Sequence, residues 1–156
     1  MFPFQEVRDT LRQVDNNHNR VNWGGCACVA VMLAEHLQPM LSELKIVSCG
    51  YGENDIDVIR EDFSHECKDD WYDGGVYFNH VWVEGLIDNT WYAFDSDGIH
   101  DLEDMYDKWG KPYGGSFALD EMRTCAGEDT WNSAVDREQL PSIQTTLDVG
   151  FKDLSI

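Results

Sequence analysis

From Val76 to Asp95 the chain reads VYFNHVWVEGLIDNTWYAFD, two runs of aromatic and β-branched residues around Asp88-Asn89-Thr90. Such runs suit a pleated, half-buried surface, and the turn residues between them mark a β-hairpin. On the first strand His80, Trp82 and Glu84 face one way, while Asn79, Val81 and Val83 face the other. A turn at Asp88-Asn89 makes the numbers of opposed residues sum to 177. Asp97 then stands opposite His80, and Asp95 lies diagonally from it on the same face. Diagonal neighbours are ~7–8 Å apart at the backbone, within reach of a histidine and an aspartate side chain.

The remaining elements follow from periodicity. Phe4, Val7, Leu11 and Val14 form the stripe of an amphipathic helix, which DNNHNR ends with turn-forming residues. A second helix is expected from Cys26, with Val29, Ala30, Leu33 and Leu37 on one face and Pro39 restricting continuation past Gln38. LKIVSCGYG reads as a short strand closing on glycine turns. Leu102, Met105, Tyr106 and Trp109 predict another helix, GKPYGG a loop, and Ser142 to Ile156 a weakly strand-like end. There is no internal repeat, linker or low-complexity tract. Helices followed by strands indicate an α+β fold in a single domain spanning 1–156, which at this length buries roughly two-thirds of its unfolded surface.

Charge narrows the partners. Thirty acidic residues stand against eleven basic ones, a formal charge of −19. Such a surface repels phosphate backbones and anionic lipid, so neither nucleic acid nor membrane is an expected partner. It is read first as a solubilising or salt-adapted surface; a groove for a basic substrate and an acidic decoy that imitates nucleic acid are the other two readings. Nine of the carboxylates fall between Glu53 and Gly75, beside only Arg60 and Lys68, with Ile56, Ile59 and Phe63 at helical spacing. That segment is expected to be an acidic, partly helical insertion whose charges face solvent. No stretch approaches the ~18 apolar residues of a membrane span and Met1–Asp9 has no apolar signal core, so a cytoplasmic protein is expected.

Five cysteines, Cys26, Cys28, Cys49, Cys67 and Cys125, are an odd set that argues for reduced thiols. Cys26-x-Cys28 and His65-x-Cys67 lack the wider gap of paired zinc ligands, so no metal is expected. Cys26 stands apart because it follows Gly24-Gly25 where the second helix should begin. A helix N-terminus favours a thiolate through its free N–H groups and macrodipole, and the same N–H groups can stabilise an oxyanion. Cys28, ~200° further round the helix, is assigned to the core. A carboxylate beside His80 would fix the imidazole tautomer and complete a Cys-His-Asp set, with Asp95 and Asp97 both in range. Asp97-Gly98 also reads as a turn.

HVWVEGLIDNTWYAFD resembles the His-to-Asp segment of transglutaminase-like proteins, in which a His-x-Trp-Val strand leads to a Trp-x-x-Phe-Asp strand. GGCACVAVMLAEHL is similar to that family's nucleophile helix, which begins Gly-x-Cys with alanine four places on, here Ala30. The likeness spans roughly residues 22–96, and papain-like peptidases and arylamine acetyltransferases share the same residue order. It implies a papain-like (transglutaminase-like) α+β fold, with Cys26 as nucleophile, His80 as base and Asp95 as the orienting acid. The implied activity is acyl transfer through a thioester by a thiol protease or amidase on a peptide or protein substrate, without a cofactor. Asn22 and Asn79 are candidate oxyanion donors, and Trp23 and Trp82 candidate walls of the substrate groove, Trp82 also shielding His80. The Glu53–Gly75 insertion and the residues after Ser96 depart from the family pattern. A contrasting expectation is a catalytically silent acidic interaction protein, a nucleic-acid mimic or inhibitor on the same scaffold.

Overall fold

Helix α1 (Phe4–Asn17) buries Val7, Leu11 and Val14, three of the four residues of the stripe expected from sequence. It belongs to a computed structural model that describes residues 1–22, 25–50, 78–112, 116–125 and 134–154. The expected acidic insertion at 53–75 lies outside the described residues. Helix α2 (Cys26–Leu37) starts at the cysteine and stops before Pro39, where the chain tightens into a 3₁₀ turn over Gln38–Met40. Proline lacks the N–H that a longer helix would need.

Four strands follow, β1 (Glu43–Gly50), β2 (Phe78–Ile87), β3 (Thr90–Asp95) and β4 (Gly98–Asp101), in an antiparallel sheet of that same order. The hairpin register is the expected one, with Val83 opposite Phe94 and Gly85 opposite Tyr92. Asp88 and Asn89 take φ of 48° and 67°, the paired left-handed conformation that lets a two-residue turn follow the strand twist. Helix α3 (Leu102–Trp109) comes next, then α4 (Leu119–Cys125), α5 (Ala134–Arg137) and α6 (Leu140–Phe151).

The sheet is covered on both faces. Ile46, Val81, Val83, Ile87 and Phe94 join α1, α2 and α6 in the main core. Val47, Cys49, Trp82 and Ala93 turn the other way onto Met105 of α3, with Tyr106 and Trp109 at the edge. This mixed architecture of helices on an antiparallel sheet is α+β. Among the described residues no helix is long and apolar enough to cross a membrane.

The C-terminal segment corrects the sequence reading. Residues 140–151 form α6 rather than a strand. Ile143, Leu147 and Phe151 recur at i, i+4 and i+8 and are all buried in the core that α1 shares. Packing of that stripe overrides the β-branched composition of the segment. His18, at the end of α1, ties the two helices: its Nδ1 lies 2.8 Å from Val14 O and its Nε2 2.9 Å from Ser142 Oγ.

Candidate functional site

His80 lies near the start of β2, on the face covered by α3, and is fully buried. Its Nε2 donates to Asp95 Oδ2 at 2.8 Å. Asp95 ends β3, so the diagonal pairing expected from the hairpin brings the two side chains together. Asp97 takes another part: its N–H donates to Asp95 Oδ1 at 2.9 Å, and its carboxylate accepts from Lys108 Nζ at 3.1 Å. A second imidazole, His100 on β4, donates from Nε2 to Asp95 Oδ1 at 2.8 Å. Burial alone would push the Asp95 carboxyl up. The hydrogen bonds and charge of His100 and His80 outweigh it and hold the carboxyl well below its usual range. The same carboxylate raises the His100 pKa above the ordinary imidazole value, against its partial burial.

Aromatic rings close around the imidazole. Trp109 stacks on His80 with centroids 4.2 Å apart, and Trp82 sits at 5.6 Å, tilted by 33°. The expectation that Trp82 lines a substrate groove is therefore corrected. It has no exposed surface, because Met105 and Tyr106 of α3 cover the face it occupies. Trp82 shields His80, and its Nε1 donates to Glu84 Oε2 at 3.1 Å. Buried Glu84 also accepts from Tyr106 OH at 2.9 Å and lies 3.8 Å from Lys45 Nζ. Burial, with Glu84 beside it, pushes the Tyr106 phenol up to about 12. This cluster satisfies the acidic residue that the β2 alternation turns inward.

Cys26 occupies the first position of α2, as expected, and is only 6% exposed. Its thiol does not have the depressed pKa that a helix N-terminus alone would confer. Burial pushes it up to about 12, and the Val81 and Ala27 N–H groups beside it only partly offset that. The sulfur thus meets the backbone one residue from His80, packed with the core that contains Val81 and Val83. His80 Nδ1 has no hydrogen-bond partner among the described residues, Cys26 included. Cys28 is buried, in keeping with its core assignment. Cys49 pairs directly with His80 across the β1–β2 ladder, so a second buried thiol stands on the histidine's own face.

The candidate oxyanion donors and Trp23 divide. The Asn22 carboxamide is buried, and neither its Nδ2 nor its Oδ1 has a partner among the described residues. Unsatisfied buried amides are uncommon and call for an explanation. Asn79 lies on β2, but its side chain, like all of Trp23, lies outside what the structure describes. Among the described residues no group of three or more His, Cys, Asp or Glu side chains is placed to hold a metal ion.

Sequence reasoning did not select His100, Trp109 or Cys49 for the site. Cys49 was not legible either, because residues 51–77 separate β1 from β2 and no short turn fixes their register. His100 and Trp109 depend on where β4 and α3 dock, and no motif announces them. Comparison with protein-family models, curated proteins and solved structures found no match.

Proposed function

We propose that this chain is a cysteine-dependent acyl-transfer enzyme, a thiol protease or amidase of the transglutaminase-like type. Cys26 is the nucleophile, His80 the general base and Asp95 the residue that orients it. The fold proposed is papain-like, with the nucleophile at a helix N-terminus against an antiparallel sheet. The observation that carries the reading is the buried His80–Asp95 pair, whose hydrogen bond through Nε2 leaves Nδ1 as a basic atom without a partner among the described residues. Asp95 is acceptor-only as a carboxylate, so it fixes the Nε2–H tautomer of neutral His80.

A thiol with a pKa near 12 is not a standing thiolate at neutral pH. Its proton passes to His80 Nδ1 as the sulfur bonds to the substrate carbonyl carbon. The Val81 and Ala27 N–H groups stabilise charge on the sulfur as its proton leaves, and the Asn22 amide, without a partner among the described residues, is the donor assigned to the oxyanion. Collapse breaks the carbonyl–nitrogen bond, His80 returns the proton to the leaving amine, and the acyl group remains on Cys26 as a thioester. Water then releases an acid; an amine acceptor gives a new amide. Cys26 packs with the Val81–Val83 face of β2 whereas His80 turns to the other, so attack requires a rearrangement on substrate binding that brings Sγ and Nδ1 within hydrogen-bond reach. The substrate is a peptide or protein, with a basic one favoured by the −19 charge.

The raised thiol and the sealed Trp82 favour a second reading, a catalytically silent acidic interaction protein. Timed alkylation with iodoacetamide and mass mapping separates the two. Cys26 should label faster than Cys28, Cys49, Cys67 and Cys125, and His80→Ala should slow it. Fastest labelling at Cys49 would move the nucleophile to β1, and uniformly slow labelling would favour the silent protein.

A further inference from the structure

The Asp95 carboxylate serves two imidazoles, only one of which belongs to the proposed triad. Oδ2 accepts from His80, while Oδ1 accepts from His100 Nε2 at 2.8 Å and from the Asp97 N–H at 2.9 Å. His80 is sealed from solvent, whereas His100 stands at the rim with a quarter of its side chain exposed. We propose that His100 is a positioning residue for the His80–Asp95 pair, clamping the carboxylate so that His80 keeps its proton on Nε2 and its Nδ1 lone pair open to take one. This rests on the triad reading given above.

The terminal torsion of an aspartate is broad and roughly two-fold, so a carboxylate held through one oxygen can swing and carry its partner with it. Two donors on Oδ1 define the carboxylate plane and aim Oδ2 at His80. Both imidazoles must donate from Nε2, because the ionised carboxylate only accepts. His80 is thereby left with its lone pair on Nδ1, the atom that must take the thiol proton. His100 can donate whether neutral or protonated.

Charge acts in the same direction as geometry. The groups around His100 are Asp95 and Asp97 on its own hairpin and Lys108 from α3. Asp15 of α1 lies near Asp95, Asp97 and Lys108. A protonated His100 offsets part of the Asp95 charge felt by His80.

Two measurements on the full chain test the proposal. In ¹⁵N-histidine NMR, both rings should carry their proton on Nε2, and the His80 signals should move as His100 titrates. A His100 titration that leaves His80 unmoved overturns the proposal without any variant. The second measurement is the pH profile of Cys26 alkylation in the unmodified protein, His100→Gln and His100→Phe. Phenylalanine has no donor, so the plateau should fall roughly tenfold or more. Glutamine keeps an N–H for Oδ1 and should recover most of the plateau. Superposed profiles with Cys26 still the fastest thiol would sink the role of His100 alone. Slow, uniform alkylation of the unmodified protein would sink the triad reading and this proposal with it.

Discussion

Trp109 lies against His80 with ring centroids 4.2 Å apart and planes 24° from parallel. One helix thus seals the imidazole that the hairpin positions. Stacking excludes water from the His80–Asp95 hydrogen bond and strengthens it, since the local dielectric falls. Trp109 itself keeps part of its surface exposed, and its indole N–H is buried without a partner among the described residues. Aromatic area rather than hydrogen bonding therefore holds it there.

Replacing Trp109 by alanine should destabilise the fold by about 1–3 kcal/mol, the range for losing a partly buried aromatic contact. It should also open His80 to solvent. Trp109→Phe keeps a ring over the imidazole and removes the orphan N–H, so it should cost under about 1 kcal/mol. Urea denaturation measures the stabilities, and diethylpyrocarbonate modification of His80 measures its exposure. Equal His80 modification in the parent and the alanine variant would refute the seal.

Stability should depend on pH through Asp95 and His100 with opposite signs. The Asp95 pKa is depressed in the folded protein, so its contribution is present above the unfolded value of about 3.9 and is lost as pH falls through the folded one. The His100 pKa is raised, so its contribution is complete below about 6.5 and is lost as pH rises through the folded value. The two overlap most fully between these limits. Relative to the parent, Asp95→Asn should flatten both sides of a plot of denaturation midpoint against pH, since it also removes the carboxylate that raises His100, and His100→Gln should flatten the alkaline side. The same loss at every pH in both variants would show that neither ionisation is linked to folding.

Gly150→Ala should destabilise although alanine is the better helix former. A methyl group at Gly150 would run into the Thr10 side chain of α1, including its β carbon. Helix propensity offers about 1 kcal/mol, whereas overpacking at a close helix–helix contact costs about 1–3 kcal/mol, so the clash should win. Thr10→Ala in the same chain should recover part of the loss, because it removes Oγ1 and Cγ2 from the collision. An additive double variant would show that the two residues do not meet.

Much of the site's frame was legible in the sequence. The period of α1 named its buried stripe, glycines and a cysteine marked the start of α2, and Asp88-Asn89 set a register that let Asp95 reach His80. These features depend on backbone preferences and spacings that operate within about a dozen residues. The tertiary structure decided what surrounds them. It made residues 140–151 a helix, because Ile143, Leu147 and Phe151 bury in the core with α1. It set His100 on the second oxygen of Asp95, stacked Trp109 on His80 and aligned Cys49 across from it. It also raised the Cys26 thiol, where the helix start alone would have lowered it. Burial, stacking and desolvation depend on which face of one element docks on which face of another, and no local run of residues contains that information.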